Sequence, residues 1–175
     1  MKLKALWMAV TLVAAPGVAL AQNPLEGFKN AAGKQLEESG KAALEKKINA
    51  KLKDEASKNQ CSFKSGTDVL EPGCDQKLKR LTSALVDAKK QLDAGGVKNY
   101  KFEVSGHTDS SGDAAKNKAL SEKRAAVIVK ELVARGIAKD EIIAIGRGSE
   151  QMLVKPDDTP AKKAKNRRYE IQVRL

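Results

Sequence analysis

Two side chains of opposite charge stand fifteen residues apart in this chain. Asp109 lies in Gly106-His107-Thr108-Asp109-Ser110-Ser111-Gly112, and Arg124 closes the run Asn117-x-x-Leu120-Ser121-x-x-Arg124. A carboxylate accepts hydrogen bonds from an ammonium, and a guanidinium grips a carboxylate through two parallel bonds. Together they could hold a ligand that is itself both cation and anion. They could equally bond each other, as a permanent salt bridge that fixes the turn. Catalysis has less to build on. His107 is the one histidine, and its closeness to Asp109 and Ser110 does not make a nucleophile–base–orienter set. No G-x-S-x-G turn is present, and Gly146-x-Gly148 lacks the third glycine and the following helix of a dinucleotide site. Two cysteines and a distant histidine are too few for a metal centre.

These residues must be positioned by the elements around them. Tyr100, Phe102 and Val104 alternate with Lys101, Glu103 and Ser105, the pattern of a half-buried strand that ends at the Asp109 turn. A helix is expected from about Ala114 to Ala134, stopping at Gly136. On its wheel Arg124 falls between Leu120 and Ile128, inside the apolar sector. A core-facing arginine is costly unless a carboxylate meets it, which points Arg124 into a cleft at the carboxyl end of the strand. Thr108 and Asp109 are also helix-capping residue types. Upstream, Leu78, Leu81, Leu85, Ala88 and Leu92 form a helical stripe that ends at Gly95-Gly96. Cys61–Lys64 reads as a short strand, Ile142–Ile145 as another, and Tyr169, Ile171 and Val173 alternate with the polar and charged Arg168, Glu170, Gln172 and Arg174 in a last one. The order β-α-β-α-β-β predicts an α/β (α+β) sandwich, two main helices on one face of a mixed sheet of about four strands.

The amino terminus carries the marks of export. Lys2 and Lys4 precede an apolar run from Ala5 to Ala15, and Ala19-Leu20-Ala21 offers small residues to a signal peptidase. Cleavage is expected before Gln22, so residues 1–21 form the leader and 154 residues remain. Gln22 is not the cysteine of an acylated lipoprotein. Residues 22–59 read as a charged helical segment. Its apolar positions, Leu25, Phe28, Ala32, Leu36, Leu44, Ile48 and Leu52, recur mostly in four-residue steps and drift around the helix. That segment is either a solvated spacer or packing arm, or a helix that docks on an outer-membrane or envelope protein. The domain proper is expected over residues 60–175. Cys61 and Cys74, in an exported chain, are expected to form a disulfide worth about 3 kcal/mol for a loop of this size. The net charge is +11, or +9 without Lys2 and Lys4, which favours polyanions. Aromatic residues make up 3%, too few for stacking platforms, so nucleic acid is not the expected partner.

Three separated motifs in order, His107-Thr108-Asp109-x-x-Gly112, Asn117-x-x-Leu120-Ser121-x-x-Arg124-Ala125 and Asn166-Arg167-Arg168, make the stretch from about residue 60 to 175 resemble the C-terminal domain of the OmpA family, which includes the peptidoglycan-associated lipoprotein. The resemblance implies non-covalent binding of peptidoglycan, in the periplasm of a Gram-negative type of envelope, with no cofactor, no metal and no catalytic residue. It implies that Asp109 and Arg124 bind the diaminopimelate of uncrosslinked stem peptides. It also implies secondary roles for Thr108, Asn117, Arg167 and Arg168. The chain departs from the family pattern at Gln151-Met152, where a proline is often found. The segment Pro156–Lys165, with Lys162, Lys163 and Lys165, is also more basic than the resemblance requires.

Overall fold

The computed structural model describes residues 24–175, with the side chains of the first helix described from Gly33 onward. The expected leader and the apolar positions Leu25, Phe28 and Ala32 lie outside the described residues or side chains. The elements are α1 (Pro24–Lys58), α2 (Asp75–Ala94), β1 (Lys101–His107), α3 (Ala114–Ala134), a 3-10 turn (Lys139–Glu141), β2 (Ile142–Gly148), α4 (Pro160–Asn166) and β3 (Tyr169–Arg174). Two compact units divide within α1, at Glu37–Glu38. The core and the site belong to the second, Glu38–Leu175. No described helix is long and apolar enough to cross a membrane.

The sheet has three strands in the order β2-β1-β3, with β1 parallel to β2 and antiparallel to β3. This corrects the expected four. Cys61–Lys64 stays out of the sheet, and Phe63 makes only a lone antiparallel bridge with Leu70. The edge of β3, where a fourth strand could add, is met instead by side chains of α1 and of the residues just after it. The Asn49 amide donates to the Val173 carbonyl at 3.1 Å and accepts from its N–H at 2.6 Å. Gln60 does the same at Tyr169, donating at 2.7 Å and accepting at 3.1 Å. A primary amide carries one acceptor and two donors, so it can stand in for a backbone partner on an otherwise open edge.

The core explains why α1 approaches so closely. Ile48, Leu52 and Ala56 are buried in one cluster with Leu78, Leu81, Leu85 and Leu92 of α2, Phe102 and Val104 of β1, Ile128 and Leu132 of α3, and Ile171 and Val173 of β3. Burying an Ile or Leu side chain is worth about 1.5–3 kcal/mol each. The segment 22–59 is therefore not detached from the domain at residue 60. Its second half is a packing arm, and three long helices contribute to the core rather than two. β1 is buried on both faces rather than half-buried. On the face away from α3, Glu103 is enclosed by Arg147 at 2.9 Å, Gln172 at 3.0 Å and Arg174 at 3.8 Å.

Helix α3 sits on β1 and β2 at backbone contact distance. Gly106 and Gly146 are cross-strand partners. A Cβ on Gly106 would lie 2.1 Å from the Ser121 carbonyl oxygen. One on Gly146 would lie 2.6 Å from the Lys118 carbonyl and 2.7 Å from the Glu122 nitrogen. Ser121, fully buried between them, donates to Lys118 O at 2.8 Å and accepts from Gly148 N–H at 2.9 Å. The obstacles are backbone atoms, so the helix itself must move to admit a methyl group. Gly106→Ala is expected to cost about 3 kcal/mol or more in urea unfolding. A loss below about 1 kcal/mol would show that the helix yields freely.

Candidate functional site

The turn after β1 is built by short polar bonds. Asp109 Oδ1 accepts from Ser111 N–H at 3.0 Å, and the Asn117 amide donates to the Ser111 carbonyl at 2.8 Å. Asp113, rather than Thr108 or Asp109, caps α3 by accepting from Lys116 N–H at 2.9 Å. This leaves the Asp109 carboxylate free of the helix. The loop before α4 holds the turn from the other side. Asp157 accepts from Ser110 N–H at 2.9 Å and from the Ser110 hydroxyl. These bonds, with one from Asn166, hold its carboxyl down at about 2. Asn166 is fully buried and uses both ends of its amide. It accepts from Leu153 N–H and Val154 N–H at 2.8 and 3.1 Å, and donates to Val154 O and Asp157 at 3.0 and 3.1 Å.

Of the two arrangements left open for Asp109 and Arg124, the direct ion pair is not the one formed. Asp109 Oδ2 is bonded by Arg167 Nη1 at 2.8 Å. Burial pushes the Asp109 carboxyl up, but the Arg167 bond and the Ser111 N–H outweigh it and hold it below its ordinary value. Arg124 does not face the core. Ser121, Ala125, Ile128 and Leu132 fill the buried face of α3, and Arg124 is half-buried at its flank. Its Nε donates to the Thr67 carbonyl at 2.8 Å, and its guanidinium carbon stands 5.1 Å from the centre of the Phe63 ring. That distance is within cation–π range. Burial, then the nearby Arg167 charge, lowers its pKa from the ordinary value, while Asp109 and Asp68 act against this.

A cleft of about 1050 Å³ nevertheless unites the predicted residues, for Thr108, Asp109, Asn117, Arg124, Arg167 and Arg168 all line it. Asp109 and Thr108 are 9% and 4% exposed, and the Thr108 hydroxyl has no hydrogen-bond partner among the described residues. Arg168 is committed to the protein, bonding Glu170 at 2.6 Å and the Gln151 carbonyl at 3.1 Å. The sequence did not single out Phe63, the Thr67 carbonyl or Asp157. Nor did it show that Lys53 and Ser57 of α1, with Gln60 just after it, would form part of the wall. Cys61 also lines the cleft, and Cys61 and Cys74 are both buried thiols. They are neighbours, with Cys61 Sγ 3.9 Å from the Cys74 carbonyl. Burial, and then a hydrogen bond with Cys74, pushes the Cys61 thiol up to about 12. Among the described residues, no group of three or more His, Cys, Asp or Glu side chains is placed to hold a metal ion.

His107, at the end of β1, is buried, with Ser105 Oγ 3.2 Å from its Nε2. Burial, and then the Arg168 charge, lowers its pKa from 6.5 to about 4. The unfolded chain thus takes up this proton at a higher pH than the fold does. Its stabilising effect is complete above about pH 6.5 and is lost as the pH falls toward 4, by about 3 kcal/mol in all. Urea unfolding of the wild type should weaken over that window more steeply than that of His107→Asn. Equal pH slopes in the two proteins would contradict this.

Comparison with known proteins follows the same outline. The OmpA family model matches residues 62–167. Peptidoglycan-binding protein ArfA of Mycobacterium tuberculosis (strain ATCC 25618 / H37Rv) is 43% identical over 70 residues, covering 40% of this chain and 21% of that protein. Outer membrane protein A of Serratia odorifera is 33% identical over 126 residues, 67% of this chain and 49% of that one. The chain thus spans from about a fifth to about half the length of these curated relatives. The crystal structure of the peptidoglycan-associated lipoprotein from Burkholderia pseudomallei shares the fold, with a TM-score of 0.55 at 20% identity over 69% of this chain and 93% of that one.

Proposed function

The chain belongs to the OmpA family, and we propose that its cleft binds peptidoglycan by gripping the diaminopimelate of uncrosslinked stem peptides, without covalent chemistry. One observation carries this reading. Asp109 and Arg124 face the same cleft without bonding each other, so an anionic and a cationic group are both presented to a ligand. The free end of diaminopimelate has an ammonium and a carboxylate on one carbon. Asp109, with lone pairs beyond those used by Arg167 and Ser111, accepts from the ammonium. Arg124 takes the carboxylate with the terminal nitrogens that Thr67 leaves free. Lysine, which lacks that second carboxylate, would leave Arg124 without a partner. Thr108 and Asn117 line and shape the pocket, and Arg167 steadies Asp109. The alternative, a protein-interaction module held by a structural Asp109–Arg124 bridge, loses its premise because the bridge is to Arg167.

The same proposal places the chain in the envelope, exported by its leader into the periplasm. There α1 is left to dock an outer-membrane or envelope partner. In that oxidising setting Cys61 and Cys74 would lose two protons and two electrons to a disulfide-donating oxidant and join. Their adjacency supports this. Protein purified from the periplasm should then be lighter by two hydrogens and resist alkylation after denaturation. Two alkylated cysteines would refute the pairing.

Binding itself is testable by sedimentation with purified sacculi. Asp109→Ala and Arg124→Ala should each weaken retention about 30-fold or more, because truncating a charge partner at a binding site costs about 2 kcal/mol or more. Free meso-diaminopimelate should release the wild type and lysine should not. If both variants sediment as well as the wild type, the cleft is not the site. If raised salt alone abolishes retention, the basic surface is responsible instead.

A further inference from the structure

The hairpin segment between Cys61 and Cys74 holds Arg124 more closely than any other element outside α3. It is a small clip with its own bonds. Lys64 N–H donates to Val69 O at 2.9 Å, Glu71 N–H to Ser62 O at 2.9 Å, and Thr67 N–H to Lys64 O at 3.1 Å. The Thr67 hydroxyl adds bonds to Lys64 O at 3.1 Å and from Val69 N–H at 3.2 Å. Gly66, at φ 69°, supplies the left-handed residue that this turn requires. Both ends of the clip are anchored at buried cysteines. Its inner side, through Ser62, Phe63, Ser65 and Gly66, faces the cleft.

Two of its groups act on the guanidinium at once. The Thr67 carbonyl takes the Nε–H at 2.8 Å, and the Phe63 ring lies against the guanidinium. A guanidinium presents two bidentate sides to a carboxylate, one through Nε and Nη2 and one end-on through Nη1 and Nη2. The first is occupied by Thr67. Stacking on Phe63 resists rotation of the plane. The end-on side remains, with no hydrogen-bond partner for either Nη among the described residues.

We propose that the Cys61–Cys74 segment is a positioning clip that orients Arg124, with Phe63 and the Thr67 carbonyl as the positioning groups, so that the cleft takes a ligand carboxylate end-on. This rests on the binding function given above and refines it. A carboxylate presents two acceptors at the spacing of Nη1 and Nη2, whereas a carboxamide presents one acceptor and a repelling NH₂. The clip therefore selects stem peptides whose diaminopimelate carboxylate is free over those in which it is amidated.

The test combines isothermal titration with a side-chain NMR signal. The ligand is a diaminopimelate-containing muropeptide, free or amidated at that carboxylate. In the wild type the Arg124 Nε–H, identified by its loss in Arg124→Lys, should give a sharp, slowly exchanging resonance. Phe63→Leu keeps the apolar bulk but removes the π face. It should weaken free-ligand binding about tenfold and broaden that resonance, in a protein that is still folded, while Phe63→Tyr restores both. Gly66→Ala strains only the turn that presents Thr67 and should give the same loss without touching the core. Wild-type affinity in both Phe63→Leu and Gly66→Ala would overturn the clip, as would equal wild-type affinity for free and amidated ligand. Failure of the wild type to bind either ligand would instead defeat the underlying function.

Discussion

Everything at the cleft depends on how near α3 comes to the sheet. Side chains usually keep a helix about 10 Å above the strands, but Gly106 and Gly146 remove that spacer at adjacent positions in β1 and β2. The helix backbone settles onto them and is pinned by Ser121, whose hydroxyl reaches Gly148. One turn before Ser121, Asn117 meets the β1 turn. One turn after it, Arg124 meets the Phe63 segment. The glycine pair thus places both arms of the site from a single contact. A helix raised by one methyl group would carry both arms away from Asp109.

The second organising choice is a division of labour between arginines. Arg167 neutralises the resting charge of Asp109 and fixes its rotamer, which spares Arg124 from that role. Arg168 is spent on Glu170 and the loop before α4, and Arg147 and Arg174 enclose Glu103 on the other face. A strongly basic chain could have filled its cleft with unpaired cations. Here Arg147, Arg167, Arg168 and Arg174 are each matched to a carboxylate among the described residues, whereas Arg124, which lines the same cleft as Asp109, is held by a carbonyl and a ring.

Much of this was legible in the residues. Periodicity located β1, α2, α3, β2 and β3, because each has a buried face whose spacing matches its geometry. The order of the three short motifs located Asp109, Arg124 and Arg167 in one cleft. What the sequence could not show was which arginine bonds Asp109. That is decided by the antiparallel placement of β3, which brings in Arg167 from 58 residues away in the chain, and no local spacing encodes it. The packing of α1 was hidden by four-residue steps that drift, since among its described residues Ile48, Leu52 and Ala56 are buried in the core and Leu44 packs at its edge. The missing fourth strand was hidden for a different reason. Asn49 and Gln60 pair with β3 through side-chain amides, and two isolated polar residues, one on a charged helix and one just past its end, carry no period at all.

Those two amides have a consequence for solubility. The outer edge of β3 offers a template for intermolecular strand pairing, and α1 at Val173, with Gln60 just after it at Tyr169, shields it without adding a strand. A fragment begun at Ser62, where the family match starts, would keep the Asp109 turn and both arginines. It would also present a bare, apolar-rich edge in Tyr169, Ile171 and Val173. Such a piece would self-associate at its edge, so the helix guards the domain against its own copies.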